Sequence, residues 1–206
     1  AVAAAIKNVC AAEGCDFALL LGDNIYSDGA TSATDTQFQT KFELPYADVD
    51  LPFHVVLGNH DFGGQLIIDA PGVGNEFEKG QYEIDYTQHS DKWSLPSAFY
   101  TFTVENVGFI MLDTNSILWD NTDYGDQRAW WPQAMQAVAG KDWVFAVGHH
   151  PYRSNGTHGD AGDYDAPELG GFSIPNPLPI QNGAAMKDFY EEVVCGNIDV
   201  LLNGHD

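Results

Sequence analysis

Four apolar runs in this sequence end in a glycine that is followed at once by residues able to bind a metal. Leu19–Leu21 leads into Gly22-Asp23-Asn24, and Val55–Leu57 into Gly58-Asn59-His60-Asp61. Phe145–Val147 leads into Gly148-His149-His150, and Val200–Asn203 into Gly204-His205-Asp206. A short apolar run bounded by turn residues has the pattern of a buried strand. In α/β sheets ligands gather at the carboxyl ends of strands. Four strands that deliver polar residues at the same structural position therefore require a fold in which their exits converge. A glycine at each exit permits the tight backbone turn this needs.

The rest of the chain alternates in the same way. Residues 2–12 and 183–194 read as helices, and a helix-like stretch runs near Asp35–Glu43 and stops before Pro45. Asp126 is placed to cap a helix through Ala139, with Gly140 as its stop. Strands are expected at 17–21, 53–57, 143–147 and 200–202. Two further β-rich runs, 98–104 and 107–112, are split by Glu105-Asn106, a hairpin signal. Residues 63–92 read as Gly-rich and irregular, and a long Gly/Pro/Asp loop runs from 151 to about Asn182. No repeat and no linker interrupts this pattern, so residues 1–206 are expected to form one α/β domain.

Composition narrows the function. The 206 residues carry 30 Asp+Glu against 8 Lys+Arg, a formal charge of −22, with 44% hydrophobic residues. A core can form, but neutralising the phosphates of a nucleic-acid duplex is excluded as a binding mode. No apolar run approaches the ~20 residues a membrane helix needs. Cys10 and Cys15 flank a short turn at Gly14 and either bridge or remain buried thiols; a bridge would imply an oxidising compartment. The chain opens without Met inside an Ala-rich stretch and closes directly after an apolar run, so both ends read as cut.

Singly, the polar residues of the four loops are unremarkable. Asp23 could cap a turn, Asn59 is a common turn residue, and His60, His149 and His205 could be ordinary loop side chains. Together, carboxylate, amide oxygen and imidazole form a borderline-hard ligand set suited to Zn, Mn or Fe and not to a thiolate site. Asp160, Asp163 and Asp165 alternate, but no twelve-residue calcium loop with its closing Glu surrounds them.

With GDNIY, GNHD, GHHP and the terminal GHD in view, the chain resembles the calcineurin-like metallophosphoesterases, and within them the purple (tartrate-resistant) acid phosphatase branch. The resemblance spans nearly the whole sequence and includes the KWSLPSAFYTF segment and the Leu112-Asp113-Thr114 strand end. It implies a four-layer fold, two mixed β-sheets packed as a sandwich and flanked by helices. It implies that Asp23 bridges two metals, that Tyr26 binds a ferric ion as phenolate, and that Asn59, His149 and His205 hold a divalent partner, Fe(II), Zn or Mn. His60 would contact the phosphate or leaving group, and His158 of SNGTHGD would be a proton donor. His150 stands where relatives often carry another residue and falls outside the ligand set. The family's Asp-x-Gly motif would lie upstream of Ala1 and its final histidine beyond Asp206, so the catalytic domain as written lacks both.

The implied activity is acid phosphatase-like: cleavage of small phosphate monoesters by attack of a metal-bound hydroxide, in a secreted or extracytoplasmic protein. A phosphodiesterase or nucleotidase on the same scaffold, and a metal-binding module without turnover, are the alternatives. Substrate choice would lie in the 63–92 and 151–182 loops.

Overall fold

The computed structural model describes residues 2–64, 72–162 and 183–206, together with the backbone of 168–169 and 172–173. Helix α1, Val2–Glu13, is built largely of alanine, the strongest helix former, and stops before Gly14 at φ +79°. Cys10 and Cys15 are disulfide-bonded across that turn, with their Cα atoms 5.0 Å apart. Cys195 is an exposed free thiol.

The first sheet contains β1 (Ala18–Leu21), β2 (Phe53–Val56) and β3 (Trp93–Ser94), all parallel in the order β1-β2-β3. The second contains β4 (Tyr100–Val104), β5 (Val107–Met111), β6 (Trp143–Val147) and β9 (Val200–Leu202). β4 and β5 form the expected antiparallel hairpin, turning at Glu105 with φ +49°, while β5, β6 and β9 run parallel. The parallel crossovers bring β6 and β9 into register with Val147 beside Leu202, so their exits are adjacent. β7 (Glu168–Leu169) and β8 (Phe172–Ser173) form a small antiparallel pair within the long loop. The remainder of the 163–182 segment lies outside the described residues, as do 65–71 of the Gly-rich stretch.

Side-chain alternation along β5 shows why the sheets stack. Phe109 and Met111 face the inter-sheet core, while Ile110 faces a second core with Leu112 and Ala146. Between the sheets, Phe17 meets Phe102 and Phe109 edge-on at 5.6 and 5.3 Å, and His54 of β2 stacks on Phe102 at 3.8 Å. The Tyr100 hydroxyl accepts from Val55 N–H at 3.0 Å and lies 3.0 Å from the carbonyls of Val55 and Ser94, pinning β4 to the other sheet. Helix α2 (Thr36–Phe38), continued by a wide turn over Gln39–Glu43, and α3 (Phe77–Tyr86) pack with the first sheet. There Phe38 stacks on Tyr86 at 3.8 Å and both meet Trp93 edge-on. α5 (Gln127–Ala137) and α6 (Gly183–Phe189, continued over Tyr190–Val194) cover the second sheet through Trp131, Ala134, Met186 and Phe189. The result is two sheets between two helical layers.

Two helices depart from the sequence reading, besides the short strands β3, β7 and β8. Residues 77–86 form a helix where irregular chain was expected. Phe77, Tyr82, Ile84 and Tyr86 pack on the core, but Gly80 and Glu83 interrupt the buried side among them. Gly80 is needed there because a Cβ would stand 2.5 Å from the Phe62 ring. The short helix α4, Thr114–Leu118, is set by its cap, the Asp113 side chain accepting from Ser116 N–H at 3.0 Å.

Candidate metal centre

The loops after β1, β2, β6 and β9 meet. They approach so closely that side chains are excluded at their first positions: a Cβ on Gly58 would sit 2.3 Å from Asp23 Oδ1, and one on Gly22, at φ +88°, 2.4 Å from His149 Nδ1. Asp23 and His205 themselves occupy the left-handed region at φ +55° and +72°, a conformation that costs energy in non-glycine residues and is held by the surrounding packing.

His149 lies at the centre. Its Nδ1 is 2.7 Å from the Leu21 carbonyl, which can only accept, so Nδ1 carries a proton and Nε2 is the ring nitrogen turned inward. That nitrogen faces Asp23 Oδ1 at 3.3 Å, Asn59 Oδ1 at 3.1 Å and His205 Nδ1 at 3.0 Å. The Asn59 amide is oriented by Nδ2 donating to the Gly72 carbonyl at 2.7 Å, which leaves its oxygen in the cluster. Four groups thus set metal-competent atoms around one small volume. A single proton on His149 would satisfy part of this set; a cation satisfies all of it. Ligand atoms around a tetrahedral ion bonded at ~2.0–2.2 Å lie about 3.4 Å apart, close to the spacing seen here.

The electrostatics agree. Burial alone would raise the Asp23 carboxyl, but His149, the Tyr26 hydroxyl and the His60 amide hold it well below the usual carboxylate range. Burial, with His149 and His158 nearby, pushes His205 down to about 4, so it stays a neutral donor in mildly acidic solution. Tyr26 is half exposed and donates to Asp23 Oδ2 at 2.7 Å; burial and the Asp23 charge hold its phenol proton on. The backbone N–H of His60 donates to Asp23 Oδ1 at 3.0 Å, and its ring lies 4.5 Å from Tyr26. The His158 ring lies 4.2 Å from His205, on a loop held by Asp206 through the His158 N–H at 3.1 Å. All seven residues expected at a site are therefore gathered in one region.

His150 is brought in as well, with a ring nitrogen within 4.8 Å of those of His149 and His205. Its proton state argues against ligation. Thr114 Oγ1 accepts the N–H groups of His149 (3.2 Å) and His150 (3.1 Å), which occupies both lone pairs. Its hydroxyl proton must then go to His150 Nδ1, 2.8 Å away, leaving the neutral ring protonated at Nε2. Burial and the three neighbouring histidines keep His150 neutral. Thr114 itself was not picked out from sequence as part of the site; only its place at a strand end hinted at it. Asp160 pairs with Arg153 at 2.6 Å, while Asp163 and Asp165 lie outside the described residues.

Comparison with known proteins agrees with this geometry. The family model for calcineurin-like phosphoesterases matches residues 1–206. The chain is 30% identical over 181 residues to tartrate-resistant acid phosphatase type 5 of Sus scrofa, covering 77% of this chain and 48% of that protein. It is 25% identical over 210 residues to purple acid phosphatase 7 of Arabidopsis thaliana, covering 93% of this chain and 54% of that protein. The chain thus spans about half the length of the curated relatives it matches. A solved structure, GAP50, described as the anchor in the inner membrane complex of Plasmodium, aligns with a TM-score of 0.61 at 20% identity over 99% of this chain and 60% of that one, a likeness of fold. Four converging strand exits, a donor cluster at their meeting point and a family match along the whole sequence together make this chain a member of the calcineurin-like phosphoesterase family.

Proposed function

We propose that the protein is a metal-dependent hydrolase of small phosphate monoesters, acid phosphatase-like, with Fe(III) paired to Fe(II), Zn or Mn. The observation that carries this reading is the convergence of Asp23, Asn59, His149 and His205 on one point. Those four would hold the divalent ion, and Asp23 with Tyr26 would face the ferric ion. Bound there, the cations supply Lewis acidity, lowering the pKa of water and withdrawing charge from the phosphoryl oxygens. The chain's own groups do the rest. The His60 N–H fixes the Asp23 carboxylate, and the His60 ring, 2.6 Å from the Ser27 carbonyl through Nδ1, turns its other nitrogen away from that contact. His158, exposed beside His205, would hand a proton to the departing alkoxide. The Cys10–Cys15 disulfide supports an extracytoplasmic location.

The test is to load the protein with iron and zinc or manganese and assay an aryl phosphate monoester and a diester from acid to neutral pH. Expected are monoester turnover that is lost on chelation and a visible absorption band that Tyr26→Phe removes. Turnover that survives stringent metal removal would overturn the mechanism. Preference for the diester would overturn the substrate class. A colourless yet active iron-loaded protein would remove Tyr26 from the site.

A further inference from the structure

Asp61 belongs to the GNHD motif, yet its side chain points away from the donor cluster. It is fully buried, and its carboxylate is spent on the backbone of two loops. Oδ1 accepts from the N–H groups of Asn24 at 2.7 Å and Ile25 at 2.8 Å, in the loop after β1. Oδ2 accepts from Gly58 N–H at 2.8 Å, in the loop after β2, and from Asn24 Nδ2 at 2.9 Å. Four donors from the two loops thus share one carboxylate, which is committed to holding backbone. Asn24 Nδ2 also reaches the Val56 carbonyl at 2.9 Å, extending the tie into β2.

The connected residues are the immediate neighbours of two donors. Asn24 follows Asp23, and Gly58 precedes Asn59. Nothing in the strand register holds these two loops together, because the β1–β2 pairing ends at Leu21↔Val56. Beyond that point the Asp61 carboxylate takes over as the link between them, joined by the His60 N–H on Asp23. We propose that Asp61 is a positioning residue that sets the separation of Asp23 and Asn59, and so preorganises the metal centre without touching the metal. This inference rests on the metal reading above.

Two measurements on Asp61→Asn test it: affinity for Mn(II) or Zn(II) alone by calorimetry, and amide hydrogen exchange of the metal-free protein. Asparagine keeps the shape but faces two of the four N–H donors with an NH2 group. Metal affinity is expected to fall about 10–100-fold, the usual loss when a residue that orients ligands is changed. Exchange is expected to quicken at Asn24, Ile25 and Gly58 while Ile110 and Met111 in β5 keep their protection. Affinity within about twofold of wild type overturns the proposal. So does a loss of protection that extends equally through β5, since that marks general destabilisation. If Asp61→Asn does not fold, Asn24→Ala, which deletes one of the four contacts, carries the test with an expected loss of about fivefold; an unchanged affinity overturns the proposal. Wild-type protein that takes up no divalent ion would refute the metal reading instead, and the exchange measurement would still decide whether Asp61 holds the two loops.

Discussion

Thr114 shows how much of this centre depends on side chains that contact no ligand. One hydroxyl accepts the N–H groups of both His149 and His150 and donates to the His150 ring, all in a buried setting. Valine has the same shape and none of these bonds. Thr114→Val therefore leaves two buried N–H groups without an acceptor, each worth about 1–3 kcal/mol. The expected outcome is a loss of at least about 2 kcal/mol in denaturant unfolding, with Thr114→Ser close to wild type. Equal stability of the valine and serine variants would show that the hydroxyl does not carry the loop. The same hydroxyl fixes the His150 tautomer. Gln127 supports the arrangement from α5, its side chain bonding the Asp113 N–H at 3.0 Å and the Asp113 carbonyl at 2.7 Å.

At the scale of elements, α3 contributes a buried acid. Glu83 is fully buried on the face turned to Asp61 and Asn24. Burial, and then the Asp61 charge, push its pKa well above the usual value, so the folded protein holds it as the neutral acid. The sign follows. A native state that binds a proton the unfolded chain has released loses stability as pH rises from about 4.5 up to the folded pKa, by up to ~1.4 kcal/mol per pH unit. Glu83→Gln removes this dependence. Denaturation at pH 5 and pH 7 should show the glutamine variant gaining on wild type as pH rises, and parallel profiles would refute a neutral Glu83. The sequence made β1, β2, β6 and β9 legible because each is a continuous apolar run closed by glycine, and Asp126 because its cap is local, accepting from Arg128 and Ala129 N–H. It obscured α3 because tertiary contacts put Gly80 and Glu83 on the buried face among its apolar residues. The residues of the candidate cluster stood out because Asp23, Asn59, His149 and His205 each follow a recognisable strand. Thr114 and the role of Asp61 did not, since both act through backbone groups of loops distant in sequence.

The whole molecule sets a problem for its proposed substrate. At −22 the protein repels a phosphate anion. Its few cations offer little relief: Lys7, Lys79, Lys92, Arg128, Arg153 and Lys187 each lie within 4.0 Å of a carboxylate. Lys41 and Lys141 are engaged with the Gln37 side chain and the Glu105 carbonyl. Attraction at short range must then come from bound cations, while the approach runs through an unfavourable field. The two ranges respond differently to salt. Raising NaCl from about 10 to 150 mM shortens the Debye length from ~30 to ~8 Å, which screens the distant carboxylates and leaves contacts at the metal centre nearly untouched. KM for a phosphate monoester, and the dissociation constant of inorganic phosphate from the metal-loaded protein, should therefore fall severalfold over this range with kcat little changed. That is the reverse of an enzyme that steers its anion electrostatically, where added salt weakens capture. Phosphate binding measured by calorimetry at fixed metal content, with NaCl alone varied, separates the two. Weaker binding at higher salt would mean that a local positive field reaches beyond the metal centre and outweighs the acidic surface.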